Sequence, residues 1–171
     1  SGITNSSNFY TTTKSFNSKI QGFSDLFLMK LTPDGNNVIF SILIGGSQEE
    51  YLSDLVIGPE KNLYLTGYTK SHDFPVFPLE NQSQYQGGWD GFVVKIDHDF
   101  SQIIYSSYIG GSDDDFIYDL EINNEGNVWV CGSTGSKNYN ISENALQSTF
   151  SGIIDGFISA FNENGKIIYS T

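Results

Sequence analysis

The sequence predicts an all-β chain built from tandem sheets of four antiparallel strands, and three observations carry that reading. Ile44-Gly45-Gly46 returns as Ile109-Gly110-Gly111, 65 residues on. The same interval joins Thr66-Gly67 to Cys131-Gly132, and it joins Asp25, Asp90 and Asp155, each two residues before a phenylalanine. Between these landmarks the apolar residues alternate, and no stretch keeps a helical period. A fixed long period with strand patterning is the signature of repeated sheets.

Each repeat reads as two hairpins. Phe92, Val94 and Ile96 share one face of the first strand, as Phe27, Met29 and Leu31 do one repeat earlier. A turn follows, Thr32-Pro33-Asp34-Gly35, where proline presets φ and glycine accepts positive φ. The second strand is Val38-Ile39-Phe40 or Ile103-Ile104-Tyr105. After the Ile-Gly-Gly-Ser corner, a third strand (Tyr51 to Ile57, Phe116 to Ile122) turns through 58–62 or 123–126 into a fourth (Leu63 to Thr66, Val128 to Cys131). Long polar segments, residues 3–24, 68–88 and 133–153, link one repeat to the next and offer variable surface.

The repeats run 2–66, 67–131 and 132–171, the last one incomplete, within a single array spanning 1–171. Tandem four-stranded units of this kind fit the blades of a β-propeller, with the third strand of the repeat innermost. The strand content makes an incomplete ring, since closure needs at least roughly four blades. The chain is therefore expected to be a fragment whose remaining blades belong to the same parent protein, with self-association open to the isolated piece.

Composition narrows the function classes. With 8 basic and 20 acidic side chains, a formal net charge of −12 repels a phosphate backbone, which argues against nucleic acid and anionic membrane. No apolar run has the length of a membrane span, so no membrane insertion is expected, and any export signal would lie outside this sequence. A single cysteine, Cys131, excludes an intrachain disulfide.

Several segments resemble the prokaryotic seven-bladed β-propeller repeat known as the SBBP repeat. They are Tyr105-Ser106-Ser107-Tyr108-Ile109-Gly110-Gly111-Ser112, Gly126-Asn127-Val128-Trp129-Val130-Cys131-Gly132, Thr66-Gly67-Tyr68-Thr69 with Asp73-Phe74-Pro75, Gln82 to Gly88, and Asp90-Gly91-Phe92-Val93-Val94-Lys95-Ile96. The middle repeat fits best; Tyr10, Tyr139 and Ala160 depart from the pattern. The resemblance implies an extracellular or cell-surface module of a prokaryotic protein, and it supplies no catalytic residue.

Candidate sites follow from residue type. The acidic corners Ser47-Gln48-Glu49-Glu50 and Ser112-Asp113-Asp114-Asp115 carry oxygen ligands suited to calcium, although without the alternating spacing of a dedicated calcium loop. Asp54 and Asp119 lie opposite in phase to Leu55, Ile57 and Leu120, Ile122, where a central channel would pass. Asp25, Asp90 and Asp155 are expected to accept backbone amides at each corner. Trp89 precedes a strand and offers a ring for a sugar, Trp129 is expected to pack between sheets, and Cys131 is expected to be a packed thiol. His72 and His98 stand alone, without counterparts in the other repeats. The functional expectation is a noncatalytic binding or scaffold module for a protein or carbohydrate ligand. Its alternative is part of a propeller enzyme, hydrolase or lyase, whose site needs further blades.

Overall fold

The computed structural model describes residues 1–12, 16–17, 19–77 and 84–171. Parts of the first and second long linkers, and part of the Gln82 to Gly88 segment, lie outside the described residues. Among the described residues there is no helix, and the strands form three antiparallel sheets. The first holds β1 (Gly2–Thr4), β2 (Asp25–Leu31) and β3 (Val38–Ile44). The second holds β4 (Glu50–Ile57), β5 (Leu63–Thr69), β6 (Asp90–Ile96) and β7 (Ile103–Ile109), side by side in that order. The third repeats this meander with β8 (Asp115–Ile122), β9 (Val128–Thr134), β10 (Asp155–Phe161) and β11 (Ile167–Ser170).

Strand bounds of the second sheet recur in the third at the sequence interval, and so do the irregularities. β4 bulges between Leu52 and Asp54, and β8 between Ile117 and Asp119. Opposite each bulge stands a glycine. A Cβ on Gly67 would lie 1.9 Å from the Tyr51 carbonyl oxygen, and one on Gly132 would lie 1.9 Å from that of Phe116. The sequence reading ended the strands before these glycines, but β5 and β9 run through them to Thr69 and Thr134. Glycine inside a strand here marks close backbone approach rather than a break. The first sheet likewise gains β1, whose Gly2 pairs with Phe27, where only the β2–β3 hairpin was expected.

Two cores separate the sheets. Leu26, Leu28, Ile42 and Ile44 of the first sheet meet Leu63, Leu65, Phe92, Val94 and Ile96 of the second. On the other face of the second sheet, Tyr64, Val93, Tyr105 and Ile109 meet Ile117, Leu120, Val128, Val130, Phe157 and Phe161. The middle sheet is therefore apolar on both faces, which is why all seven residues of β6 are buried.

The long linkers shield the outer strands. Thr12 N donates to Ser41 O at 2.9 Å, Phe77 and Ser106 exchange backbone bonds at 3.0 and 2.6 Å, and Ser142 N donates to Ser170 O at 3.0 Å. Each pairing covers amides on an edge strand that would otherwise invite foreign strands. The same linkers seat a ring on the core: Phe9 on Phe27, Phe74 on Phe92 and Tyr139 on Phe157, with centroids 5.0, 4.7 and 4.6 Å apart.

Two packing expectations are corrected. Trp129 is 38% exposed, whereas Tyr64, one repeat earlier, is 3% exposed. Cys131 is exposed, whereas Thr66 is buried and donates its hydroxyl to Phe92 O at 2.7 Å. The cause is shared. Val128 and Val130 point into the second core, so alternation turns Trp129 and Cys131 to the opposite face of β9, which no other sheet covers among the described residues.

Candidate functional site

Adjacent sheets are tied together at corners where an acidic residue opens a strand on each side. At the first joint Glu50 N donates to Ser24 O at 3.2 Å, and at the second Asp115 N donates to Trp89 O at 2.6 Å. Asp25 and Glu50 are both buried at the first joint, and Asp90 and Asp115 are both buried at the second. Glycine permits this crowding. A Cβ on Gly45 would stand 2.6 Å from Glu50 Oε2 and 2.7 Å from Asp25 Oδ1; one on Gly110 would stand 2.8 Å from both Asp115 Oδ2 and Asp90 Oδ1.

The expected corner role of Asp25, Asp90 and Asp155 matches the geometry. Asp25 Oδ2 accepts Gln21 N at 3.1 Å, Asp90 Oδ2 accepts Gln86 N at 2.8 Å, and Asp155 Oδ2 accepts Ser151 N at 2.7 Å. Glu50 accepts the Thr69 hydroxyl at 2.7 Å and Gly46 N at 3.2 Å. Asp115 Oδ2 accepts Gly111 N and the Ser136 hydroxyl, each at 2.7 Å. Burial pushes Glu50 and Asp90 up to about 7, and it raises Asp25 and Asp115 as well. Neutralising one acid of a buried pair relieves the repulsion between them.

This inward turn of Glu50 and Asp115 splits the acidic corners read from the sequence. Glu49, Asp113 and Asp114 remain on the outside, Glu49 within 3.6 Å of Lys70 Nζ and Asp114 accepting Trp89 N at 2.9 Å. Among the described residues, no three His, Cys, Asp or Glu side chains gather in a way that would hold a metal ion. Asp54 and Asp119 lie on β4 and β8, the strands at one edge of their sheets. Asp54 is half-buried with its carboxylate on Leu55 N at 2.7 Å, and Asp119 is exposed. A charge on an open edge strand discourages pairing with another chain.

Above the second joint the rings converge. Tyr51 and Tyr68 stack at 5.2 Å, Trp89 meets both edge-on at 5.5 and 5.3 Å, and Phe116 lies 5.0 Å from Tyr68. Lys70 Nζ sits 4.4 Å from the centre of the Trp89 ring, and Tyr51 is 38% exposed. The rings come from β4, β5, the linker before β6, and β8. Asp114 on the Trp89 amide and Glu49 through Lys70 set carboxylates beside the rings, and Asp113 lines a depression with Asp114 and Phe116, so the wall offers apolar faces beside hydrogen-bond acceptors.

This cluster breaks the repeat. At the first joint Ile3 and Ser24 stand where Tyr68 and Trp89 stand at the second. Of its members only Trp89 was singled out from the sequence. The signal for the others was available: Tyr51 and Phe116 occupy the same repeat position, directly after the buried acid, which marks a shared surface beside the joint. A further depression of about 740 Å³ opens between β7 and the linker at Asn138 to Ile141, lined also by Gln86, Gly110 and Phe161. Its lining includes the rings of Tyr108, Tyr139 and Phe161. No protein-family model matches the chain, and a search of curated proteins finds no similar sequence.

Proposed function

We propose that the chain is a run of β-propeller blades serving as a noncatalytic binding module of a secreted or cell-surface prokaryotic protein, and that the aromatic wall over the second joint takes a neutral glycan. The observation that carries this is the convergence of Tyr51, Tyr68, Trp89 and Phe116 at one joint and not at the other. Rings supply stacking area for the apolar face of a sugar, and Glu49, Asp113 and Asp114 supply acceptors for its hydroxyls. The net charge of −12 favours a neutral sugar over an anionic one. The enzymatic alternative calls for unlike acids gathered around a channel, while the buried acids here recur at both joints with amide and hydroxyl donors on them.

Probing the chain on an array of neutral and anionic glycans, followed by calorimetry on the hits, tests this. Trp89→Ala and Tyr51→Ala should each weaken a neutral hit by about tenfold or more while circular dichroism stays unchanged. Retention of anionic glycans alone, or binding that ignores both substitutions, would overturn the assignment. Capture of a protein ligand at another face would transfer the binding role away from this wall.

A further inference from the structure

We infer that the aromatic wall continues into a second subsite over the third sheet, and that this subsite selects a glycan carrying an N-acetyl group. The inference rests on the glycan reading of the wall and names the class of sugar.

The second and third sheets present the same surface, filled over one and hollow over the other. Over the second sheet Tyr68 stacks on Tyr51, Trp89 stands edge-on to both, and Lys70 Nζ lies 4.4 Å from the centre of the Trp89 ring. One repeat on, Ser133, Gly135 and Ile154 take the positions of Tyr68, Lys70 and Trp89. Each is smaller than its counterpart. The strand register is kept across this change, Phe116 pairing with Ser133 as Tyr51 pairs with Tyr68. The lost side-chain volume leaves a depression of about 770 Å³ lined by Phe116, Ser133, Gly135 and Ile154. That is the size of a small-ligand site.

The depression is continuous with the wall. Phe116 belongs to both, its ring 5.0 Å from that of Tyr68 while it lines the depression. Asp114 also belongs to both, accepting Trp89 N at 2.9 Å and lining the depression beside Asp113. A sugar chain stacked on the wall would set its next unit in the depression.

The lining chemistry chooses that unit. Asp113 and Asp114 bring acceptors, Lys137 brings a donor, and Phe116, Phe150 and Ile154 bring apolar surface. Lys137 is particular to this repeat, its counterparts being His72 and Ser7. Ile153 and Ile154, at 89% and 66% exposed, leave apolar area open beside the charges. A sugar hydroxyl uses only the polar half of this lining. An acetamido group uses all of it: its N–H donates to a carboxylate, its carbonyl oxygen accepts from Lys137, and its methyl covers Phe116 and Ile154.

Calorimetry with two neutral trisaccharides tests this. They are the trimers of N-acetylglucosamine and of glucose joined by the same linkage, which differ only in carrying an acetamido group or a hydroxyl beside the anomeric carbon. The acetylated trimer should bind about tenfold tighter or more. Restoring the second sheet's residues, Ser133→Tyr with Gly135→Lys, should fill the depression and bring the two affinities within about threefold. Lys137→Ala, on an exposed loop, is a second variant that spares the strands and should lower the preference by about fivefold. Circular dichroism and urea midpoints check that each variant is folded. Equal affinities in the parent overturn the inference, while the glycan reading stands if Trp89→Ala still weakens both trimers. A preference that survives both variants also overturns it. Binding of neither trimer overturns it too; other neutral glycans lost on Trp89→Ala would then keep the wall, and their absence would remove both.

Discussion

The two inter-sheet joints share a backbone and differ in how completely their buried acids are partnered. At the first, Asp25 and Glu50 have donors on both oxygens: Gln21 N lies 3.4 and 3.1 Å from the two Asp25 oxygens, and Thr69 and Gly46 divide between those of Glu50. At the second, Gln86 N, Gly111 N and the Ser136 hydroxyl all fall on Oδ2, and among the described residues Asp90 Oδ1 and Asp115 Oδ1 are buried without a hydrogen-bond partner. The difference is one methylene. Glu50 reaches the Thr69 hydroxyl, while the shorter Asp115 keeps both close donors on a single oxygen. Repetition copies the chain path faithfully, but each joint must satisfy its own polar atoms, and the second does so less well.

The largest effect should come from the glycines that let the acids meet. Gly45→Ala would place a methyl 2.6 Å from Asp25 Cγ and Glu50 Oε2, and Gly110→Ala would place one 2.8 Å from two carboxylate oxygens. Each should cost about 2–3 kcal/mol as an overpacked site, with the greater loss at Gly45, where a carbon already tied to the Gln21 amide must move. Urea midpoints of the two variants decide it. Parent-like midpoints for both would mean that the acids do not converge on these glycines.

Next in size are identical substitutions at matching positions, with unequal effects expected. Asp90→Asn keeps an oxygen for Gln86 N and turns an amide group toward Asp115, giving an orphaned oxygen a donor. It should stabilise the chain by about 1–2 kcal/mol at pH 8. Asp25→Asn likewise keeps an oxygen for Gln21 N, but it gives no orphaned oxygen a donor, so it should change stability by less than about 0.5 kcal/mol. Thermal melts at one pH compare them directly. Equal shifts in the same direction would show that the joints are equivalent and the orphaned oxygens without consequence.

The buried acids also set a pH dependence. Burial raises Glu50 and Asp90 to about 7, so between about pH 4 and that value the folded chain holds protons that the unfolded chain releases. The stability contributed by these groups is full below about pH 4 and is lost as pH rises through about 7. Denaturation series from pH 4 to 8 should show the parent losing stability along this interval and Asp90→Asn losing less. A variant slope as steep as the parent's would remove Asp90 from the account.

Much of this was legible from the period alone. Asp25, Asp90 and Asp155 were placed at corners because a role repeated in each unit is structural, and Asp25 and Asp90 are buried there. Glu50 and Asp115 recur at the same interval, yet in a run of neighbouring acids nothing local says which one turns inward. That depends on the strand beginning at that residue and on Gly45 or Gly110 across from it. Trp129 and Cys131 were misplaced for a similar reason. Alternation gives the side of the sheet, but what lies on that side is a property of the neighbouring unit. The aromatic wall is less local still, since Tyr51, Tyr68 and Phe116 come from three strands of two sheets.

The smallest effect compares the turns between the first two strands of the second and third sheets. Both close with the same backbone bond, Lys61 N to Gly58 O at 2.9 Å and Gly126 N to Asn123 O at 3.0 Å. The residue in the left-handed conformation is Lys61 in one, at φ 62°, and Gly126 in the other, at φ 81°. A side chain there costs about 1–2 kcal/mol, part of which glycine gives back through its freer unfolded chain. Lys61→Gly should therefore stabilise by about 0.5 kcal/mol, and Gly126→Lys should destabilise by a similar amount. Urea midpoints of the two single variants measure both. A loss on Lys61→Gly would mean that the lysine makes a contact outweighing its backbone strain, and the turns would then differ in more than their glycine.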